Sequence, residues 1–514
     1  MDGQECPSYK PQILAFRILL QANSTLLAPS LSPFALTAIT ANDYKSPAFH
    51  SASRQPVRTF MNGLSGILLL AAILIIMQFL VMMISDRTPA LREWKSVLMF
   101  FALIWWFTPL AKKAYVDDVF YPNDSVVHEE AAREIAYLFN QGDTQGALDY
   151  FGFGNEGYRF VLGVLYAWTD SPEIVTYAIH GMFAFWGLLL ILQMICKHIK
   201  AEKLPFWIVA FITLNPSALF WTTFNLKEGA MLWGLCAMLT AAQTLEARNQ
   251  AKMRLEHPSK GGSLIGPFAG LLVAGFLRPH IVMAYLGALA VGVAIKQRKI
   301  SFAVAMFGGI FAAVTMLRIM APVFFETVAA AGLSNTLSER FMDLSNDGGS
   351  AITYSRGAPI PLVSGVILLA LRPFPWESGD VTTLAAGAEI WVVAAIAICG
   401  WYRLNARWKL ATSAYVMTLI AAFLALSLYF TYIYNMGLMV RQRVMVFPTM
   451  LTIAVLPSAI FANRYVAATR QRFQPTPQNT PQPQRMQPQP IFQPAYARRV
   501  EIKNPLRSYP PPRQ

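Results

Sequence analysis

The chain has 514 residues, 55% of them hydrophobic and 14% charged, with a mean hydropathy of +0.41. A soluble domain carries about a quarter charged residues; here the apolar excess forms long continuous blocks, which rules against a soluble globular chain and against the short alternating segments of an outer-membrane barrel. The net charge of +14 would point to nucleic acid in a soluble protein, but much of it lies in short loops and the tail, where it reports cytoplasmic sidedness.

Residues 1–60 lack the basic, apolar and small-residue regions of a secretory signal, and QILAFRILL is short and interrupted by Arg17. They are expected to form a poorly ordered extension, or to reflect an upstream start with Met61 as the alternative. Gly63–Ser85 then carries no formal charge and is long enough to cross a hydrocarbon core of ~30 Å. Similar blocks start near Val97, Val175, Pro205, Gly229, Ser263, Ile281, Ser301, Thr383, Leu410 and Gly437. The expected fold is an all-α polytopic membrane protein of about eleven transmembrane helices, with a large first outer loop bearing surface helices. Pro359–Leu371 is too short to span and is expected to be re-entrant or interfacial.

Basic loops at 86–96, 197–203, 246–260, 296–299 and 402–409, and the tail after Arg464, set the sidedness. With these in the cytoplasm, the loops at 112–174 and 321–360 and the stretch RPFPWESGD fall outside. The N-terminus then also lies outside, unless the first sixty residues hide another crossing. Residues 466–514 are Pro/Gln-rich, bury little apolar surface and are expected to form a disordered cytoplasmic tail. Cys6, Cys196, Cys236 and Cys399 show neither a disulfide framework nor metal-ligand spacing. No glycine-rich nucleotide loop and no GK[ST] motif is present, which argues against an ATP-driven pump.

The stretch AYVDDVFYPNDS sets Asp117, Asp118, Tyr121 and Asp124 just beyond a very apolar run. Carboxylates at a span's exit can act as a general base toward an acceptor hydroxyl or hold a divalent cation that grips a phosphate; they can also be solvated loop residues. Asp117 and Asp118 alone are too few ligands to commit to a metal, so no metal site is assigned and a divalent cation stays an open cofactor. Ala131–Asn140 has helical periodicity with a charged face, and pieces near Gln145–Phe151 and Tyr158–Trp168 look similar, as amphipathic helices along the membrane surface.

This pattern is DD-x-x-Y, then a surface helix, the NQGD turn and an aromatic GY…LY segment, and it resembles the GT-C-type membrane glycosyltransferases. That group includes the protein O-mannosyltransferases and the lipid A sugar transferases. The resemblance covers about Val97 to Phe224 and is architectural beyond it. It implies that Asp117 or Asp118 is catalytic and that 61–465 is a transferase domain in the plasma (bacterial inner) membrane. It further implies a lipid-linked, polyprenyl-phosphate sugar donor and a glycan, lipid or protein acceptor. Membrane lipids are the remaining partners, and nucleic acid is not one.

A second set opposes the positive-inside trend: Lys227 and Glu228 in NLKE, Arg278 and His280 in LRPH, Arg372 in LRPFPWE, and Arg441 and Arg443 in VRQR. Arginine matches phosphate oxygens with a planar fork, so this set, with Tyr121, is assigned to substrate and phosphate binding. Snorkelling to headgroups and internal pairing such as Lys227 with Glu228 are the competing explanations. Glu389, a lone acid in an apolar run, needs a partner, for which Arg372 and Arg441 are candidates; it is either structural or part of a proton path. His180 reads as a satisfied polar contact, and Trp207, Trp221, Trp376 and Trp401 as interface-belt residues. The long polar loop Ser338–Pro361, with RPFPWE and MGLMVRQRVMVFP, loosely resembles polysaccharide polymerase-like proteins. A repeat-unit polymerase and a flippase or transporter of a lipid-linked or anionic substrate are therefore the alternatives to the transferase.

Overall fold

The structure, a computed structural model, describes residues 56–115, 123–253, 263–297, 361–377, 381–403, 413–430 and 436–473. Asp117, Asp118, Tyr121, the span expected near Ser301 and the loop 321–360 lie outside the described residues, as do 1–55 and the tail from 474. Among the described residues the chain is helical, without a strand.

Helices α1 (Pro56–Arg87), α2 (Pro89–Arg92) and α3 (Lys95–Tyr115) come first. They are followed by α4 (Asn123–Asn140), α5 (Thr144–Leu148) and α6 (Asn155–Thr169), where the sequence shows amphipathic periodicity. Then come α7 (Glu173–Ile199), α8 (Phe206–Thr213), α9 (Pro216–Trp221), α10 (Glu228–Met253), α11 (Ile265–Leu277) and α12 (Pro279–Gln297). The remainder is α13 (Pro361–Leu371), α14 (Val381–Arg403), α15 (Ala414–Phe430), α16 (Met436–Arg443) and α17 (Phe447–Phe473).

Four segments, Ser65–Arg87, Lys95–Tyr115, Glu173–Ile199 and Thr383–Arg403, are long and apolar enough to cross a membrane. A fifth forms if α16 and α17 are taken as one span, broken by a 66° bend. The chain is thus a helical membrane protein. Four shorter apolar pieces, Phe206–Trp221, Ile265–Leu277, Pro279–Ile295 and Ala414–Phe430, stand where further crossings are expected from the sequence.

Small residues set the helix spacing, as they do where lipid supplies no hydrophobic drive for helices to associate. A side chain at Gly270 on α11 would meet the Gly234 carbonyl of α10 at 2.4 Å, and one at Gly292 on α12 would meet the Ala414 carbonyl of α15 at 2.5 Å. α7 packs into this group through a core of Phe185, Leu188, Leu192 and Ile195. The amphipathic helices α4 and α6 pack on each other through Ala132, Ala136 and Leu162, with Gly163 closing against Ile135.

Local sequence fixes the joints. The NQGD turn places Gly142 at φ +81°, and the Asp143 side chain caps α5 by accepting from Gly146 N at 2.9 Å. Asn215 caps α9 in the same way, with Pro216 at the first helical position. Gly154, at φ +75°, opens α6 and donates its N–H to the Phe276 carbonyl at 2.9 Å, tying α6 to the end of α11.

Candidate functional site

The site is assembled from helix breaks. Glu228 stands in the first turn of α10, where the helix dipole favours an anion. Arg278 is the residue before a proline; that proline drives it out of helical conformation, to φ −149° and ψ 78°, and ends α11. Arg441 lies in α16, just ahead of the bend into α17. Each break turns a polar residue inward, and the three meet. Glu228 Oε1 accepts from Arg278 Nη2 at 3.0 Å and from Arg441 Nε at 2.8 Å. Glu228 is fully buried, and the arginine side chains are 8% and 10% exposed.

The cluster also grips α4 and α6. Arg441 Nη1 pairs with Asp124 in the first turn of α4, and Lys227 Nζ donates to Asn155 Oδ1 at the start of α6. Three cations thus face two carboxylates, Glu228 and Asp124. Glu228 Oε2 and Arg278 Nε are buried there without a protein partner. Such atoms are costly unless a ligand or water meets them.

Asn225 is the hub of a second layer. Its N–H donates to Ser125 Oγ at 3.1 Å, its Nδ2 donates to Tyr166 Oη at 3.1 Å, and Thr176 Oγ1 donates to its Oδ1. Tyr158 Oη and His180 Nε2 share a hydrogen bond of 2.7 Å, and the His128 ring stands edge-on to Tyr158, with Arg159 Nε donating to its Nδ1 at 3.1 Å.

Burial, reinforced by the charges of Arg159 and Lys227, holds His128 down at about 3, so its ring is neutral at physiological pH. Burial works to raise the Asp124 carboxyl, but Arg441 outweighs it and the net position is below the usual carboxylate range. Glu129 moves the other way. Burial and a hydrogen bond with Glu173 raise it to about 7, against the pull of Arg133. Glu173 also receives Lys113 Nζ at 2.8 Å and the Tyr177 hydroxyl, so a carboxyl pair joins α4 to the start of α7. Burial, then the Glu129 charge, lifts the Tyr166 phenol to about 12, which leaves it a neutral donor or acceptor.

Of the residues assigned from sequence, Lys227, Glu228, Arg278 and Arg441 come together. His280 stays apart from the ion pairs, an exposed ring beside Tyr429 at 5.8 Å between centroids. Arg372 pairs with Glu377, and Arg443 Nη2 donates to the backbone carbonyls of Leu368 and Arg372. Those two arginines therefore brace the end of α13 against the bend of α16. The partners expected for Glu389 are corrected: its oxygens accept from Asn215 Nδ2 at 2.7 Å and Ser217 N at 2.8 Å, and Arg441 is committed to Glu228 and Asp124. A carboxylate there meets a backbone amide in the first turn of α9, which has no partner within its own helix. Trp221 is buried among the helices, unlike the exposed Trp207 and Trp376 that fit a belt.

Sequence reasoning left Asn155, Asn225, Glu129 and Glu173 out of the site and quoted Asp124 without a role. The signal for Asn225 was present: an asparagine flanked by Phe224 and Leu226 is either exposed or fully hydrogen-bonded. Among the described residues no group of three or more His, Cys, Asp or Glu side chains is placed to hold a metal ion.

Comparison with known proteins returned no matching family, no matching curated protein and no matching solved structure.

Proposed function

We propose that this protein is an integral-membrane glycosyltransferase of GT-C type that moves a sugar from a polyprenyl-phosphate carrier to a glycan, lipid or protein acceptor. The observation that carries the reading is the buried cluster in which Lys227, Arg278 and Arg441 outnumber Glu228 and Asp124 at the root of an acidic loop. A carrier phosphate gains charge as the glycosidic bond breaks, and preorganised cations in a water-poor site stabilise that charge; removal of one such donor costs about 10²–10³ in rate. Glu228 holds the two arginines in register. Asp117 or Asp118, tethered within seven residues of Asp124, takes the proton of the acceptor hydroxyl. The shorter apolar helices, α10 and the segment near Ser301 complete about eleven crossings, with the outer loop outside a bacterial inner membrane and the C-terminus in the cytoplasm.

One feature favours a second reading. The bend between α16 and α17 beside Arg441, and the break at Arg278, have the form of the discontinuous helices that carry binding sites in secondary transporters. Purified protein in liposomes, given a radiolabelled polyprenyl-phosphate sugar and acceptor lipids, separates the two. The transferase reading expects labelled product that falls at least tenfold in Arg441→Lys, which keeps the charge and loses the fork, and that vanishes in Asp117→Asn or Asp118→Asn. Arg441-dependent movement of label across the bilayer without a new glycosidic bond overturns it in favour of transport.

A further inference from the structure

The two carboxylates on Arg441 are unequal. Glu228 is inaccessible and shared with Arg278, whereas the Asp124 side chain is 58% exposed and reaches Arg441 from the first turn of α4. Arg441 itself is only 10% exposed, so Asp124 stands between a buried guanidinium and the exterior. Only the carboxylate of this pair is exposed, so it regains hydration on leaving. A buried guanidinium that loses its outer partner gains strongly from a replacement anion. The unpartnered Arg278 Nε and Glu228 Oε2 supply one further donor and one acceptor at the same place.

We propose that Asp124 is a displaceable latch: it occupies the subsite on Arg441 that a phosphate monoester or diphosphate takes when it binds. Displacement releases the first turn of α4, leaving the outer helices held by Lys227 with Asn155 and by Asn225 with Ser125. Phosphate is the favoured class because the planar fork of arginine takes two of its oxygens at once, and because three cations around Glu228 leave net positive charge once Asp124 withdraws. This rests on reading the cluster as a phosphate site, and it adds that the empty site is closed by the chain's own carboxylate.

The test measures binding of geranyl phosphate, geraniol and inorganic phosphate by titration calorimetry to full-length protein in detergent. The proteins are wild type, Asp124→Asn, Arg441→Lys and the control Glu130→Gln, which removes an exposed charge from the same helix. If the latch is closed in nine molecules of ten, its removal tightens apparent affinity about tenfold. Asp124→Asn is therefore expected to bind geranyl phosphate about tenfold more tightly, Glu130→Gln no more than twofold, and Arg441→Lys more weakly. Hydrogen exchange at 123–128 is expected to quicken when geranyl phosphate binds wild type. Equal affinity in wild type and Asp124→Asn, with Arg441 still required, overturns the latch and leaves the phosphate site standing. Binding of geraniol as tight as that of geranyl phosphate, or no effect of Arg441→Lys, overturns both.

Discussion

At the scale of single residues, charge placement decides what each substitution does. Glu228→Gln leaves two arginines buried around a neutral amide, and breaking a buried pair in this way costs about 3–5 kcal/mol. A clear fall in the melting temperature of the detergent-solubilised protein is expected, with partial recovery in Glu228→Gln/Arg441→Gln, because the two act on one interaction. Glu129 gives a pH dependence of definite sign. Its folded value of about 7 exceeds its usual 4.5, so between those values the folded state holds a proton that the unfolded chain has lost. Stability contributed there is present at pH 5 and is lost as pH rises through 7. Glu129→Gln is therefore expected to raise the melting temperature more at pH 8 than at pH 5; a shift equal at both, or larger at pH 5, contradicts the shared proton. Lys227, Glu228, Arg278 and Arg441 stood out in the sequence because charged side chains beside long apolar runs need a partner or a ligand. Glu129 and Glu173 were not, since 44 positions separate them and only the fold brings the carboxyls into contact.

At the scale of elements, the breaks matter more than the helices. Arg278 faces inward because the following proline forces it out of the helix, and that was readable from LRPH. The 66° bend after Arg443 was not readable, because VMVFP carries no glycine and its proline, Pro448, falls in the first turn of α17, where proline is tolerated. Helices α4 and α6 were visible as periodicity, while their contact was not. Gly163 on α6 is the point of closest approach: a side chain there would meet Ile135 Cβ at 2.7 Å and the Ala132 carbonyl at 2.9 Å. Gly163→Leu is expected to cost about 1–3 kcal/mol by overpacking. Faster trypsin cleavage within 123–169 is the expected readout, with the fragment carrying α7–α12 left intact.

At the scale of the whole molecule, mean hydropathy identified a helical membrane protein, but the number of crossings is not a compositional property. α8 and α9 make one apolar piece interrupted at Leu214 and Asn215, and α11 and α12 are each short of a full crossing by ordinary measure. Breaks of that kind place polar residues inside the membrane, so the site and the ambiguity in span count share one cause. The expected sidedness has a direct check. In a chain with its native cysteines replaced, Glu130→Cys is expected to react with an impermeant maleimide in intact cells, and Ala247→Cys only after lysis; the reverse pattern inverts the topology.

Lys112, near the end of α3, has a consequence for biosynthesis. Its ammonium is buried against the rings of Phe220 and Phe224, and it donates to the Phe220 carbonyl and to Thr223 Oγ1 at 2.8 Å. These partners are made about 108 residues later, roughly 5–20 s at ordinary translation rates. During that interval α3 carries a charge without these ligands. A charge near the end of an apolar helix is costly to hold against lipid, so α3 is expected to stay beside the insertion machinery, or in the company of α7, until α9 arrives. Assembly of this protein is therefore ordered in time: the early helices become lipid-stable only once a late one caps them.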